Sequence, residues 1–204
     1  MRSPFRDRAV TVPALLCVLL LALTTVSGCS EDGPGAPAPK ASETDLTSSS
    51  APGSAPVRTR AQVGRVVGRL PRARRVLVRR QVTRVVDRWW QAAYLGGDYP
   101  RSGFSSSFPG FTDGAAQRAR RDRLLMSNAD IGDRVDSVTA TRRRLQLDLL
   151  AVGSRTRSVT ARFELRFKTT GERARRVTVR GRLFLTRRPT GWRVFGYDVT
   201  KGAR

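Results

Sequence analysis

The chain has 204 residues, of which 39 are Lys or Arg and 16 are Asp or Glu, giving a formal net charge of +23, and it contains no histidine. The missing imidazole excludes His-based metal sites and the Ser-His-Asp and Cys-His catalytic schemes, which depend on a group that titrates near neutrality. Once a leader and a linker are set aside, the length allows one domain with a real core and not two. The charge attracts polyanions through its long-range field. Lys40, Lys168 and Lys201 are the only lysines, however, and so strong an arginine skew also follows from a GC-rich coding sequence.

Arg2, Arg6 and Arg8 precede residues 10–26, a run without a charge. The leucine-rich centre of that run is shorter than the roughly 20 residues needed to span hydrocarbon. Ser27 and Gly28 are small enough for a peptidase to reach the backbone, and Cys29 follows. Val26-Ser27-Gly28-Cys29 resembles the signal of bacterial lipoproteins, in which an aliphatic residue, a small residue and Gly or Ala precede a cysteine. The resemblance implies a signal peptide over 1–28, cleavage between Gly28 and Cys29, and a palmitate-type lipid on Cys29. That lipid would hold the chain on the extracytoplasmic face of the cell membrane. Ordinary secretion, or retention of the run as a single N-terminal membrane anchor, are the other addresses such a leader allows. Cys17 is lost on cleavage, which leaves no pair of cysteines for a disulfide. Outside the membrane the available polyanions are anionic lipid headgroups and phosphate-bearing wall polymers, with no nucleic acid.

Residues 29–57 are dominated by Gly, Ala, Pro, Ser and Thr and read as a disordered tether. Residues 58–75 form a basic amphipathic segment. Val63, Val66, Val67 and Leu70 fall at helical spacing beside a face of arginines, which predicts a basic helix interrupted by Pro71. Such a helix either lies along an anionic membrane surface or packs on the domain as an extension.

The domain proper covers 76–204. Val82, Val85, Val86, Trp89, Trp90 and Ala93 recur every three or four residues and predict a helix over 76–95, ended by Gly96-Gly97-Asp98. An aromatic, Ser-rich loop over 98–110 leads to a second helix over 114–127, capped by Thr112 or Asp113. From Arg134 onward the apolar period becomes two: Leu145, Leu147 and Leu149, then Val159 to Phe167, then Val177 to Leu185, then residues 192–200. Short turns at Gly153-Ser154, Thr170-Gly171-Glu172 and Pro189-Thr190-Gly191 require antiparallel neighbours. Helices followed by an antiparallel meander with one apolar and one arginine-coated face predict an α+β fold. Arg142, Arg143 and Arg144 are the densest basic run and a candidate anion site, expected at a hairpin end, where guanidinium forks meet phosphate oxygens in pairs. The alternative for the same run is a solvated hairpin end.

Trp89-Trp90-Gln91-Ala92-Ala93-Tyr94 with Gly97-Asp98-Tyr99, and the final Gly191-Trp192-Arg193-Val194-Phe195-Gly196-Tyr197-Asp198-Val199, make residues 76–201 similar to nuclear-transport-factor-2-like domains. Actinobacterial envelope proteins, including those associated with mammalian-cell-entry lipid transporters, contain such domains. The resemblance implies N-terminal helices packed on a curved antiparallel meander, a cone with a cavity between helix and sheet. Trp89, Trp90, Tyr94 and Phe163 are the candidate pocket, and core packing is the alternative role for the same aromatic side chains. Some members of that family are enzymes using an inward Asp with Tyr or His. Here only Asp98, Asp148 or Asp198 with Tyr94, Tyr99 or Tyr197 fits. Asp148 alternates with apolar residues and belongs to the solvent face, Asp98 adjoins a turn, and Asp198 lies among arginines. Asp130, Asp133 and Asp136 lack the Gly and Glu of a calcium loop. The expectation is a non-catalytic, lipid-anchored envelope protein, with no metal and no cofactor, that binds a partner protein in an envelope complex or an apolar small ligand. The alternatives are a polyanion-binding module acting through arginines and an isomerase-like enzyme with an Asp/Tyr site.

Overall fold

The computed structural model describes residues 56–204. The expected signal, Cys29 and the tether up to residue 55 lie outside the described residues. The elements follow in the order β1 (Arg60–Val67), α1 (Arg72–Trp90), a π-helical turn (Gln91–Leu95), α2 (Asp113–Arg121), α3 (Arg123–Met126), β2 (Val138–Val152), β3 (Arg155–Thr169), β4 (Arg176–Arg188) and β5 (Gly191–Ala203). All five strands form one sheet in sequence order, with β1 parallel to β2 and every other pair antiparallel. The fold is α+β. The purely antiparallel meander expected from the turns is corrected at one edge, where β1 makes the sheet mixed. No helix among the described residues is long and apolar enough to cross a membrane.

β1 stands where the spacing of Val63, Val66, Val67 and Leu70 predicts a helix. Three of those residues are β-branched and lose rotamer freedom in a helix, and Gly64 and Gly68 weaken one further. A bulge between Val63 and Val66 adds an extra residue to the strand. Two valines three apart therefore both pack against the core, as they would on a helix. A Cβ at Gly64 would lie 2.6 Å from Asp148 Oδ1, so a side chain there would displace that carboxylate. The same carboxylate accepts the Arg65 amide N–H at 3.0 Å.

α1 starts at Arg72, just after Pro71, and buries Val78, Val82, Val85, Val86, Trp89 and Trp90 along one stripe. That stripe lies on the inner face of the sheet, where Leu145, Leu147, Leu149, Val159, Ala161 and Leu165 alternate with outward polar residues. Gly181 pairs with Phe163. It holds a φ of +154° with Asp198 O only 2.1 Å from where a Cβ would stand, so no side chain competes with the ring beside it. The single helix expected over 114–127 is two pieces, α2 and α3. Asp122 lies at the break, its carboxylate accepting the Tyr197 hydroxyl of β5 at 2.5 Å.

Candidate functional site

The four candidate pocket residues do come together, but as solid core. Trp89, Trp90 and Tyr94 are fully buried and Phe163 nearly so. Phe163 meets Trp89 and Trp90 at ring-centroid distances of 5.3 and 5.9 Å, and Trp89 meets Tyr94 at 5.6 Å, all edge-to-face. Two of the three polar ends are used structurally, while Trp90 Nε1 is buried without a partner. Trp89 Nε1 donates to Met126 O at 3.3 Å and the Tyr94 hydroxyl to Leu125 O at 2.8 Å, which ties α3 to the aromatic cluster. These rings fill the space between α1 and the sheet where the cone resemblance implies a cavity.

Arg142, Arg143 and Arg144 lie within β2 and not at a hairpin end. They do not act together. Arg142 pairs with Glu164 at 3.6 Å, and Arg143 turns under α1 to Asp87 at 3.1 Å with only 11% of its side chain exposed. The Arg143 guanidinium also lies 5.6 Å from the Trp90 ring, and Asp87 accepts the Thr59 hydroxyl at 2.6 Å. Only Arg144 is left exposed. Arg143 is thus committed to the internal charge balance of the fold, which a basic run in sequence cannot reveal.

The acids considered for an Asp/Tyr site are equally dispersed. Asp98 is exposed. Asp148 pairs with Arg162 at 2.8 Å and Asp198 with Arg182 at 2.5 Å, both outside the core. The tyrosines are engaged as well. The Tyr99 hydroxyl donates to Tyr94 O and accepts from Asn128 Nδ2. Burial raises the ionisation of Tyr94 well above its ordinary value, with the nearby Asp130 charge adding to the effect. Asp130 itself pairs with Arg175 and Lys201.

A different site appears at the end of the sheet where the first turns of α1 face the β2–β3 and β4–β5 turns. A cleft of about 600 Å3 opens there over Leu70, Val78 and Trp192. Its rim carries Arg74 of α1, Arg155 and Arg157 of β3, and Arg187 of β4. A second lobe of about 600 Å3 shares Gln81, Arg187 and Trp192 with the first and adds Arg84, Arg88 and Arg193. Neither lobe is lined by an Asp or Glu. Gln81 Oε1 accepts from both Trp192 Nε1 and Arg187 Nη1, each at 3.2 Å, and so fixes the helix to the hairpin across the cleft. Thr156, buried in the wall, has a hydroxyl without a protein hydrogen-bond partner.

Arginine stays protonated throughout the physiological range, so this lining can bind and orient an anion but cannot exchange protons with it. The planar guanidinium fork suits phosphate and carboxylate oxygens, while the floor suits hydrocarbon. Sequence reasoning missed this cleft because its arginines come from α1, β3, β4 and β5, and only folding gathers them. No protein-family model matches this chain, and no match was found among curated proteins or among solved structures.

Proposed function

We propose that this is a non-catalytic protein of the cell envelope, held at the outer side of the membrane by a lipid on Cys29. Its domain grips an anionic partner in the arginine-lined cleft. The observation that carries the binding role is the composition of that lining, in which arginines from several elements converge and no acid neutralises them. The lipid anchor is supported by Val26-Ser27-Gly28-Cys29 at the end of an uncharged run. An apolar ligand between α1 and the sheet loses its support, because Trp89, Trp90 and Phe163 occupy that space. The α+β arrangement is further read as a cone of the nuclear-transport-factor-2-like kind. Bulges at Ala140/Arg142, Leu150/Ala151 and Phe184/Leu185 support that reading, since bulges bend and twist the strands that carry them.

Two measurements test the proposal. Fatty-acid labelling in a lipoprotein-processing bacterium should mark the wild-type protein and not Cys29→Ala; label on the variant overturns the anchor. Inorganic polyphosphate titrated into the protein should bind with an affinity that falls steeply as salt is raised. The double variant Arg74→Gln/Arg187→Gln should bind several-fold more weakly, whereas Arg166→Gln on the outer sheet face should not. Equal losses from both variants would leave the cleft with no special role.

A further inference from the structure

The cleft is the centre of a larger polarity in the domain. No Asp or Glu occurs between Asp45 and Asp87, between Asp148 and Glu164, or between Glu172 and Asp198. The strand pairing brings these acid-free stretches to the same end of the fold. Val67 at the close of β1 pairs with Leu150, the β2–β3 turn follows at Val152 and Arg155, and the β4–β5 turn lies between Arg188 and Gly191. The start of α1 joins them, since Arg74 and Leu77 face Ser154 and Arg155 across the cleft. The cleft at the centre of this pole is therefore positive, with no acid in its lining.

The pole is also where apolar surface is left uncovered. Val67, Val76, Leu77, Leu150 and Val152 are five of the seven large hydrophobic side chains exposed among the described residues. Val152 at the hairpin tip is 56% exposed and Leu77 at the cleft mouth 41%. Val67 pairs with Leu150, Val152 follows on the same outward side of β2, and Leu77 stands on α1, so exposed aliphatic side chains flank this end on both sides of the sheet, where a covering partner would shield them from water. A hydrophilic wall polymer satisfies the arginines but not these side chains. A bilayer with anionic headgroups satisfies both, because phosphates meet guanidinium groups at the level where short aliphatic side chains reach the acyl boundary.

We infer that this pole seats on an anionic phospholipid bilayer, with the cleft arginines on headgroup phosphates and Leu77, Val152 and Val67 dipping below them. The inference rests on the anion-binding role proposed for the cleft and names its partner. Long arginine stems assist, since they lie along apolar surface while keeping the charge at the phosphates.

The segment Ser50–Arg204 is one compact unit and lacks Cys29, so it tests the pole without the lipid once circular dichroism shows it folded. It should sediment with vesicles containing phosphatidylglycerol and not with phosphatidylcholine vesicles, and salt should release it. Neutralising Arg74 and Arg187 together should weaken the vesicle affinity by about fivefold for each arginine and weaken polyphosphate binding as well. Val67→Thr with Val152→Thr should weaken vesicle binding alone, because neither residue lines the cleft and both are exposed enough to leave the fold intact. Polyphosphate binding without vesicle binding overturns the bilayer and leaves the anion-binding role standing; absence of both overturns the two together. Vesicle binding unaffected by the Val67 and Val152 changes overturns insertion. Capture of monomeric short-chain phosphatidylglycerol in preference to vesicles replaces the surface with a single-lipid site and overturns the inference too.

Discussion

The two ends of the sheet treat charge in opposite ways. At the end holding the β3–β4 turn, Asp130 accepts Lys201 at 2.5 Å and Arg175 at 3.4 Å, while Arg134 lies 3.7 Å from both Asp133 and Glu172. Lys201 Nζ also donates to Leu124 O and Ser127 O, fastening the segment after α3 to β5. Charges there are matched and stitch loops together. At the opposite end, the cleft lining sets no acid against its arginines. Paired charge holds a protein in shape; unpaired charge of one sign, kept on a rigid frame, is directed at something outside it.

Four experiments break or sharpen this contrast. The largest effect is expected for Trp89→Ala, which removes a fully buried ring lying between the two ends. It should cost about 3–5 kcal/mol in denaturant unfolding and abolish polyphosphate binding with the fold. Lys201→Ala should cost about 2 kcal/mol by leaving two carbonyls without this donor and Asp130 with Arg175 alone, with no change in polyphosphate affinity.

A smaller effect comes from pH. Tyr94 and Tyr197 both ionise above their ordinary 10.0, through burial first, and then through the charge of Asp130 for Tyr94 and the hydrogen bond to Asp122 for Tyr197. Their contribution to stability is whole below 10.0 and is lost as pH rises above it, because the unfolded chain ionises first. Thermal unfolding should show stability falling above that value, less steeply in Tyr197→Phe. Lys201 acts in the opposite sense: burial lowers its ionisation from 10.5, so its contribution improves as pH approaches that value from below. The smallest stability change, within about 0.5 kcal/mol, is expected for Arg74→Gln/Arg187→Gln, the pair expected to weaken anion binding while the fold stays intact. A marked loss of stability from that pair would show that the arginines serve the fold.

Elements dominated by one clear period were legible from the residues. The stripe from Val82 to Trp90 marked α1, and strict alternation from Leu145 to Leu185 marked three of the five strands. β1 was not legible, because its bulge gives a strand the apolar spacing of a helix. Arg143 was misplaced because its partner Asp87 is 56 residues away, and a local run of like charge says nothing about distant acids. The cleft arginines are scattered from residue 74 to residue 193. All but Arg88 come from stretches that lack acids, a signal that acquires meaning only when strand pairing shows that those stretches meet.

The irregular first strand has a consequence for company as well as for packing. By lying along β2 it covers what would be a long, regular border of free amide and carbonyl groups, and it replaces that border with a short one interrupted at Gly64 and Arg65. Arg60, Arg65 and Arg69 are exposed along that short border. Another copy of the chain trying to add a strand there would meet a broken ladder and a row of like charges. The kink that disguises the strand therefore also deters the molecules from stacking edge to edge.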